Sequence, residues 1–229
     1  MEWTDWSAQM DAIRAQFGYA EATDREAALL LRDRMPAPQP WRMLGVQLRN
    51  RRNLAILGCG PNLSRTPVAE LAGKVIVAAD GATSWLREQG VIPNLIVTDL
   101  DGAEADLEWA ARQGALMVLH AHGDNQDAIV RLAPRLGPLA WGTHQVEPTA
   151  DLEPLRNLGG FTDGDRAVLL CEAFGGLRAT LYGFDFDAPP SPYSGRFDPA
   201  TKPAKLQWAR RIVEACQVRG KLQLTLWQP

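Results

Sequence analysis

The sequence predicts an open α/β fold, a doubly wound and mostly parallel sheet with a small helical appendage at the N-terminus. Three observations predict it. Short apolar runs alternate with helical patterns from Asn53 onward, as βαβ units require. Glycine and aspartate gather where those runs end, which is where open α/β sheets place their ligands. The length of 229 residues suits one α/β domain plus an appendage, since domains usually run to roughly 100 to 200 residues.

Residues 1–50 read as the appendage and a connector. Trp6, Met10, Ile13 and Phe17 recur at helical spacing, and a second apolar stripe begins over 27–31. Pro36, Pro38 and Pro40 then stop any helix, because a proline pushes the residue before it out of the α region. Residues 51–229 read as the α/β domain. Its candidate strands are 54–57, 75–79, 95–97, 116–119, 139–141 and 179–182, with crossover helices over 83–89, 103–113, 125–136 and 165–174. A helix over 205–218 leads to a last strand at 222–227. No fixed-period repeat or low-complexity tract interrupts the pattern.

Composition narrows the classes. Hydrophobic residues make up 46% and charged residues 22%, within the globular range, so little disorder is expected away from the ends. A formal net charge of -3 lacks the basic field that a phosphate backbone demands, which argues against nucleic acid as the main partner. Cys59, Cys171 and Cys216 are odd in number and widely spaced, matching neither a disulfide framework nor a zinc knuckle. The first residues, Met1-Glu2-Trp3-Thr4-Asp5-Trp6, carry acids where a signal peptide carries bases. No apolar run reaches about 18 residues. A cytoplasmic chain that crosses no membrane is expected.

The sharpest chemical signal is Asp99 and Asp101 in Thr98-Asp99-Leu100-Asp101-Gly102. Residues i and i+2 of an extended segment point to one side, so both carboxylates are expected to face one cation. Without a cation the pair repels, and hard oxygen ligands suit Mg²⁺. Asp80, in Ala79-Asp80-Gly81, is expected to add a third carboxylate or to orient the other two. An Asx-turn closing a strand is the plain alternative for each aspartate taken singly. Gly58-Cys59-Gly60-Pro61-Asn62, followed by Ser64, reads as a strand-to-helix turn whose free N–H groups suit a phosphate or a base edge. It has neither P-loop spacing nor a full GxGxxG pattern, and a tight turn explains it equally well.

A second dense cluster is 157–166. Thr162 or Asp163 can cap a helix starting near Asp165, and Arg166 offers a planar cation suited to phosphate oxygens or to a surface salt bridge. Capping accounts for one of the acids Asp163 and Asp165, not for both. His120 and His122 share a face beside Asp124, yet no cysteine lies nearby, so polar cleft lining accounts for them better than zinc. The tryptophans, Trp85, Trp109, Trp141 and Trp208 among them, are expected to pack.

Taken in order, GCGPNLS, ADGATSWL, IPNLIVTDLDG, HAHGDN, GTHQ and NLGGFTDGDRA resemble the archaeal-type 6-hydroxymethyl-7,8-dihydropterin diphosphokinase family. Its catalytic domain is similar to that of thiamin pyrophosphokinases. The likeness runs from about Ile56 to Asp185, and more loosely to Lys202-Pro203-Ala204-Lys205-Leu206. The resemblance implies ATP as cosubstrate, Mg²⁺ as cofactor, attack of a pterin hydroxymethyl oxygen on the β-phosphorus, and release of AMP. It implies that Asp99 and Asp101 hold Mg²⁺ with Asp80 nearby. Asp124 and Asn125 would line the cleft, and Asp163, Asp165 and Arg166, with Thr162 beside them, would order the nucleotide phosphates. Gly58, Gly60, Pro61, Asn62, Ser64 and Gly81 would border the nucleotide.

The chain departs from the family pattern at Asn62, where serine is more usual, and its motifs single out no carboxylate to read a pterin ring. The short stretch after Trp227 leaves no length for the β-sandwich with which thiamin pyrophosphokinases bind thiamin, so pterin is expected over thiamin. The other readings are a thiamin pyrophosphokinase-like enzyme, a nucleotide-sugar-dependent glycosyltransferase sharing the glycine loop, and a non-catalytic nucleotide-binding module. Oligomeric state is left open, a homodimer included.

Overall fold

The computed structural model describes residues 3–36, 39–136, 139–189, 191–195 and 197–229; Met1, Glu2 and Pro38 lie outside the described residues. Three helices come first, α1 (Trp3–Phe17), α2 (Glu21–Arg34) and α3 (Trp41–Leu48). The sheet elements follow in the order β1 (Leu54–Leu57), β2 (Val75–Ala79), α4 (Ala82–Glu88), β3 (Leu95–Thr98), α5 (Glu104–Arg112), β4 (Leu116–Ala121), α6 (Gln126–Leu132) and β5 (Ala140–His144). The chain ends with α7 (Asp163–Ala173), β6 (Arg178–Tyr182), α8 (Lys202–Arg219) and β7 (Gln223–Leu226).

The seven strands form one sheet in the order β5-β4-β3-β2-β1-β6-β7, and every pairing is parallel. The doubly wound α/β expectation therefore holds. Parallel strands are covered on both faces, so their residues alternate between two cores rather than between core and water. Ala55, Leu57, Ile76, Ala78 and Ile96 pack with α2, α4, α5 and α6. Leu54, Ile56, Val77, Leu95 and Val97 pack with α1, α3, α7 and α8. Trp6, Met10 and Ile13 of α1 are at most 1% exposed, and burial of that kind is worth roughly 1.5–3 kcal/mol for each side chain. That fixes α1 against the sheet.

The structure corrects the connector. Residues 41–48 are helical, with Trp41, Leu44 and Leu48 buried. Pro36 follows the C-cap of α2, whereas Pro40 sits at the N-cap of the next helix, a place that needs no N–H from proline. The helix read as 125–136 ends at Leu132, and β4 and β5 extend to Ala121 and His144. Both strand extensions end in histidine-containing segments whose polarity hides their burial. Among the described residues no helix is long and apolar enough to cross a membrane.

From β1 the chain moves to one side of the sheet, and from β6 it moves to the other. Loops leaving neighbouring strands in opposite directions open a crevice at their carboxyl ends. That crevice lies between Gly58-Cys59-Gly60 and Gly183-Phe184-Asp185.

Candidate active site

A cleft enclosing about 1130 Å³ out to bulk solvent occupies this crevice, lined among others by Gly58, Gly60, Asp80, Asp99, Asp101 and Asp163. Close backbone packing shapes one wall. A Cβ at Gly60 would strike the Asp185 carboxylate, and that carboxylate is held by the backbone N–H of Asn62 at 2.8 Å and by its side-chain amide. Asn62 thus braces the glycine loop from behind, and Pro61 opens the 3-10 turn that carries it. Ser64 is exposed and donates to Pro61 O at 2.9 Å, away from the cleft lining. Gly81 lies buried where a side chain would strike the Tyr193 carbonyl.

Asp80, Asp99 and Asp101 converge, each offering a carboxylate oxygen within 4.8 Å of the others. The route differs from the extended pair expected from sequence. Strand β3 stops at Thr98, and Leu100 takes a φ of 71°, so the two aspartates meet through a left-handed turn. Thr98 organises the turn: its hydroxyl accepts from Leu100 N at 2.8 Å and donates to Asp80 Oδ1. Asp80 also has a positive φ, 35°. Non-glycine residues in this region are strained, and such strain gathers at functional sites. Gly102 completes the arrangement because a Cβ there would collide with the Asp80 carboxylate.

Electrostatically the cluster is incomplete as it stands. Asp80 Oδ2 and Asp99 Oδ1 are buried and lack a hydrogen-bond partner among the described residues. Burial and the charges of Asp99 and Asp101 push Asp80 well above the usual carboxylate range. Desolvation and the charge of Asp99 push Asp101 up to about 6. Burial also acts to raise Asp99, but the His122 hydrogen bond and the charge of Arg166 hold it low. Three carboxylates that repel one another and keep unbonded oxygens fit a hard divalent cation with room for water and phosphate.

The neighbouring loops hold this cluster in place. His122 Nδ1 accepts from Asp124 N at 3.3 Å, which leaves Nε2, 3.3 Å from Asp99 Oδ2, as the protonated nitrogen. Asn125 is buried, and its amide donates to Asp99 O at 2.6 Å and His120 O at 2.7 Å. It therefore acts behind the surface rather than along it. Asp124 is exposed and borders a smaller adjoining recess. His120 bonds Thr143 and Gln145, and burial with the charge of Arg166 pushes it well below its usual range.

Helix α7 starts two residues earlier than the sequence predicts. Asp165, fully buried, accepts from Phe161 N, Thr162 N and the Thr162 hydroxyl at 2.6–2.9 Å, the reach-back contact of a capping box. One acid is thus explained by capping, and Asp163 is the other. It lines the cleft, accepts from Asp99 N at 3.3 Å and is pushed well above its ordinary range by burial and the charge of Asp99. Arg166 is 6% exposed, which rules out the surface salt bridge; its guanidinium lies 3.4 Å from Asp163 and 3.0 Å from Gln145.

Two further cations line the cleft that the sequence motifs do not single out, Lys202 and Lys205 in the first turn of α8. Their three-residue spacing at a Pro-initiated helix start was the available signal.

A family model described as 6-hydroxymethylpterin diphosphokinase MptE-like matches residues 38–190. A Pyrococcus furiosus protein named 6-hydroxymethyl-7,8-dihydropterin pyrophosphokinase is 37% identical over 233 residues, covering 98% of each chain. One of the same name from Methanothermobacter thermautotrophicus is 35% identical, covering 99% of this chain and 100% of that one. A third, from Methanocaldococcus jannaschii, is 32% identical over 85% of this chain and 84% of its own. Among solved structures, a probable thiamine pyrophosphokinase from Staphylococcus saprophyticus aligns at 17% identity and a TM-score of 0.41, over 76% of this chain and 64% of that one.

Proposed function

Because the chain belongs to the MptE-like 6-hydroxymethylpterin diphosphokinase family, we propose that it transfers the terminal diphosphate of ATP to the hydroxymethyl group of 6-hydroxymethyl-7,8-dihydropterin. The observation that carries the reading is the Asp80, Asp99 and Asp101 cluster at the mouth of the glycine-walled cleft.

The hydroxymethyl oxygen attacks the β-phosphorus, the bridge to the α-phosphorus breaks, AMP departs and the hydroxyl proton is released. Mg²⁺, held by Asp80, Asp99 and Asp101, would supply charge neutralisation on the phosphate oxygens. The protein's own contribution is alignment and fixed positive charge. Lys202 and Lys205 face the incoming phosphates from α8, while Gly58 and Gly60 let the backbone come close to the nucleotide. Arg166, held by Gln145 and Asp163, presents its cation beside Asp99, where the transferred group passes. His122 keeps Asp99 ionised and aimed.

Incubation with ATP, Mg²⁺ and the dihydropterin tests the reading. AMP and a pterin diphosphate should form in equal amounts. ADP as the nucleotide product would overturn the reaction class, and turnover of thiamin in place of the pterin would overturn the acceptor.

A further inference from the structure

The smaller recess, about 440 Å³ out to bulk solvent, shares Asp99, Phe161 and Lys205 with the main cleft. Its other walls come from the N-terminal helices and from loops after β4 and β5. Tyr19, Thr23 and Asp24 stand on one side, with His122, Asp124 and Gln145 opposite. Two of these polar groups are buried and incompletely bonded.

Gln145 is 5% exposed, and its Oε1 lies 3.0 Å from Arg166 Nη2. A guanidinium can only donate, so the amide oxygen must face it, which leaves the amide NH₂ without a partner among the described residues. Asp24 is 2% exposed. Its Oδ1 accepts from Gly123 N at 3.0 Å, but Oδ2 makes no hydrogen bond. Arg14 lies 3.6 Å from that oxygen, an ion pair too long to be a hydrogen bond. The same guanidinium donates to Gln145 O at 3.2 Å, so Arg14 ties the two residues together. A buried acceptor left unmatched, as Asp24 Oδ2 is, costs about 1–3 kcal/mol, and with the Gln145 amide NH₂ the recess offers one acceptor and one donor to a ligand that matches both.

The 2-amino-4-oxopyrimidine end of a pterin has that complement, two adjacent N–H donors beside a carbonyl acceptor. On the basis of the diphosphotransfer reading above, we propose that this recess is the acceptor subsite. Asp24 accepts from the 2-amino and N3–H groups, and Gln145 donates to the 4-oxo oxygen. The half-buried ring of Tyr19, stacked on Phe17 at 5.7 Å and packed against Phe161 at 6.4 Å between centroids, offers its remaining aromatic surface to the bicycle. The hydroxymethyl end then lies toward Asp99, one of the residues the recess shares with the main cleft. This supplies the ring-reading carboxylate that the sequence motifs do not contain.

The test compares the dihydropterin with its 2-oxo analogue, the corresponding dihydrolumazine, in wild type, Asp24→Asn and Tyr19→Ala, with melting curves for all three. A site built to bond an N–H donor rejects an analogue lacking it, so wild type should favour the pterin by about 100-fold or more in kcat/KM. Asp24→Asn keeps the bond to Gly123 and turns the acceptor into a donor. It should raise the KM for the pterin about tenfold or more and bring the two substrates close to parity, while the KM for ATP moves by less than about twofold. Tyr19→Ala should weaken dihydropterin binding, measured by calorimetry without ATP, by about fivefold or more. A folded Asp24→Asn enzyme with unaltered preference would overturn the site. So would unchanged binding by Tyr19→Ala, which keeps the proposal testable if Asp24→Asn does not fold. A wild-type enzyme that releases no AMP with any pterin would overturn the functional reading, and this site with it.

Discussion

At the scale of single residues, like charges concentrated in one place set function against stability. Asp101 is pushed up to about 6 by desolvation and by Asp99, so its ionised form is disfavoured when no cation is bound. Asp101→Asn removes one charge from the repelling cluster. It should leave the melting temperature of the metal-free protein unchanged or higher, while lowering turnover by at least about 100-fold through lost electrostatic stabilisation. A full-rate variant at limiting Mg²⁺ would remove Asp101 from the site. His144 shows the opposite linkage. Burial, opposed by the Val146 backbone and joined by a smaller effect from Arg25, lowers it to about 4. A depressed base contributes stability that is fully present above its unfolded value near 6.5 and is lost as pH falls toward 4. Between pH 7 and pH 5 it should account for about 1–2 kcal/mol of lost stability. Denaturant unfolding of His144→Leu should show that much less acid sensitivity, and an identical pH slope would contradict the assignment.

At the scale of elements, the start of α7 joins structure to site. Asp165 accepts three hydrogen bonds from Phe161 and Thr162, and the turn it closes aims both Asp163 and Arg166. Asp165→Ala should destabilise the fold by about 1–3 kcal/mol, since buried donors lose a charged acceptor. Because Asp163 and Arg166 shift with the turn, turnover per folded molecule should also fall; a loss confined to the melting curve would make the cap purely structural. This element was half legible. Thr162, the acids and Arg166 are a readable helix start, but which acid caps and which faces the cleft depends on the path of Gly159-Gly160-Phe161. Both of these glycines take positive φ. Helix α3 was masked for a related reason: Pro36 and Pro40 are breakers by composition, and whether a proline ends one helix or begins the next depends on what its apolar neighbours can pack against.

At the scale of the whole molecule, the main cleft joins the loop after β1 to α8, and the smaller recess joins α2 to α8. A ligand that bridges these parts and binds the folded state alone stabilises it by mass action, about 2.7 kcal/mol at a hundred times its dissociation constant. ATP with Mg²⁺ should therefore raise the melting temperature, and the rise should be much smaller in Asp99→Asn and Asp101→Asn. Equal shifts in wild type and both variants would separate nucleotide binding from the carboxylate cluster. By itself the sequence determined the α/β class, most strand cores, and Asp80, Asp99 and Asp101 as residues at strand ends. Those features rest on local periodicity and on turn chemistry, which a few consecutive residues encode. The tertiary structure alone decided that Asp99 and Asp101 meet through a left-handed turn, that Lys202 and Lys205 line the same cleft, and that Asp24 shares a recess with Gln145. Those arrangements depend on the order of strands in the sheet and on docking of the terminal helices, where residues more than a hundred positions apart are brought together by burial rather than by any pattern along the chain.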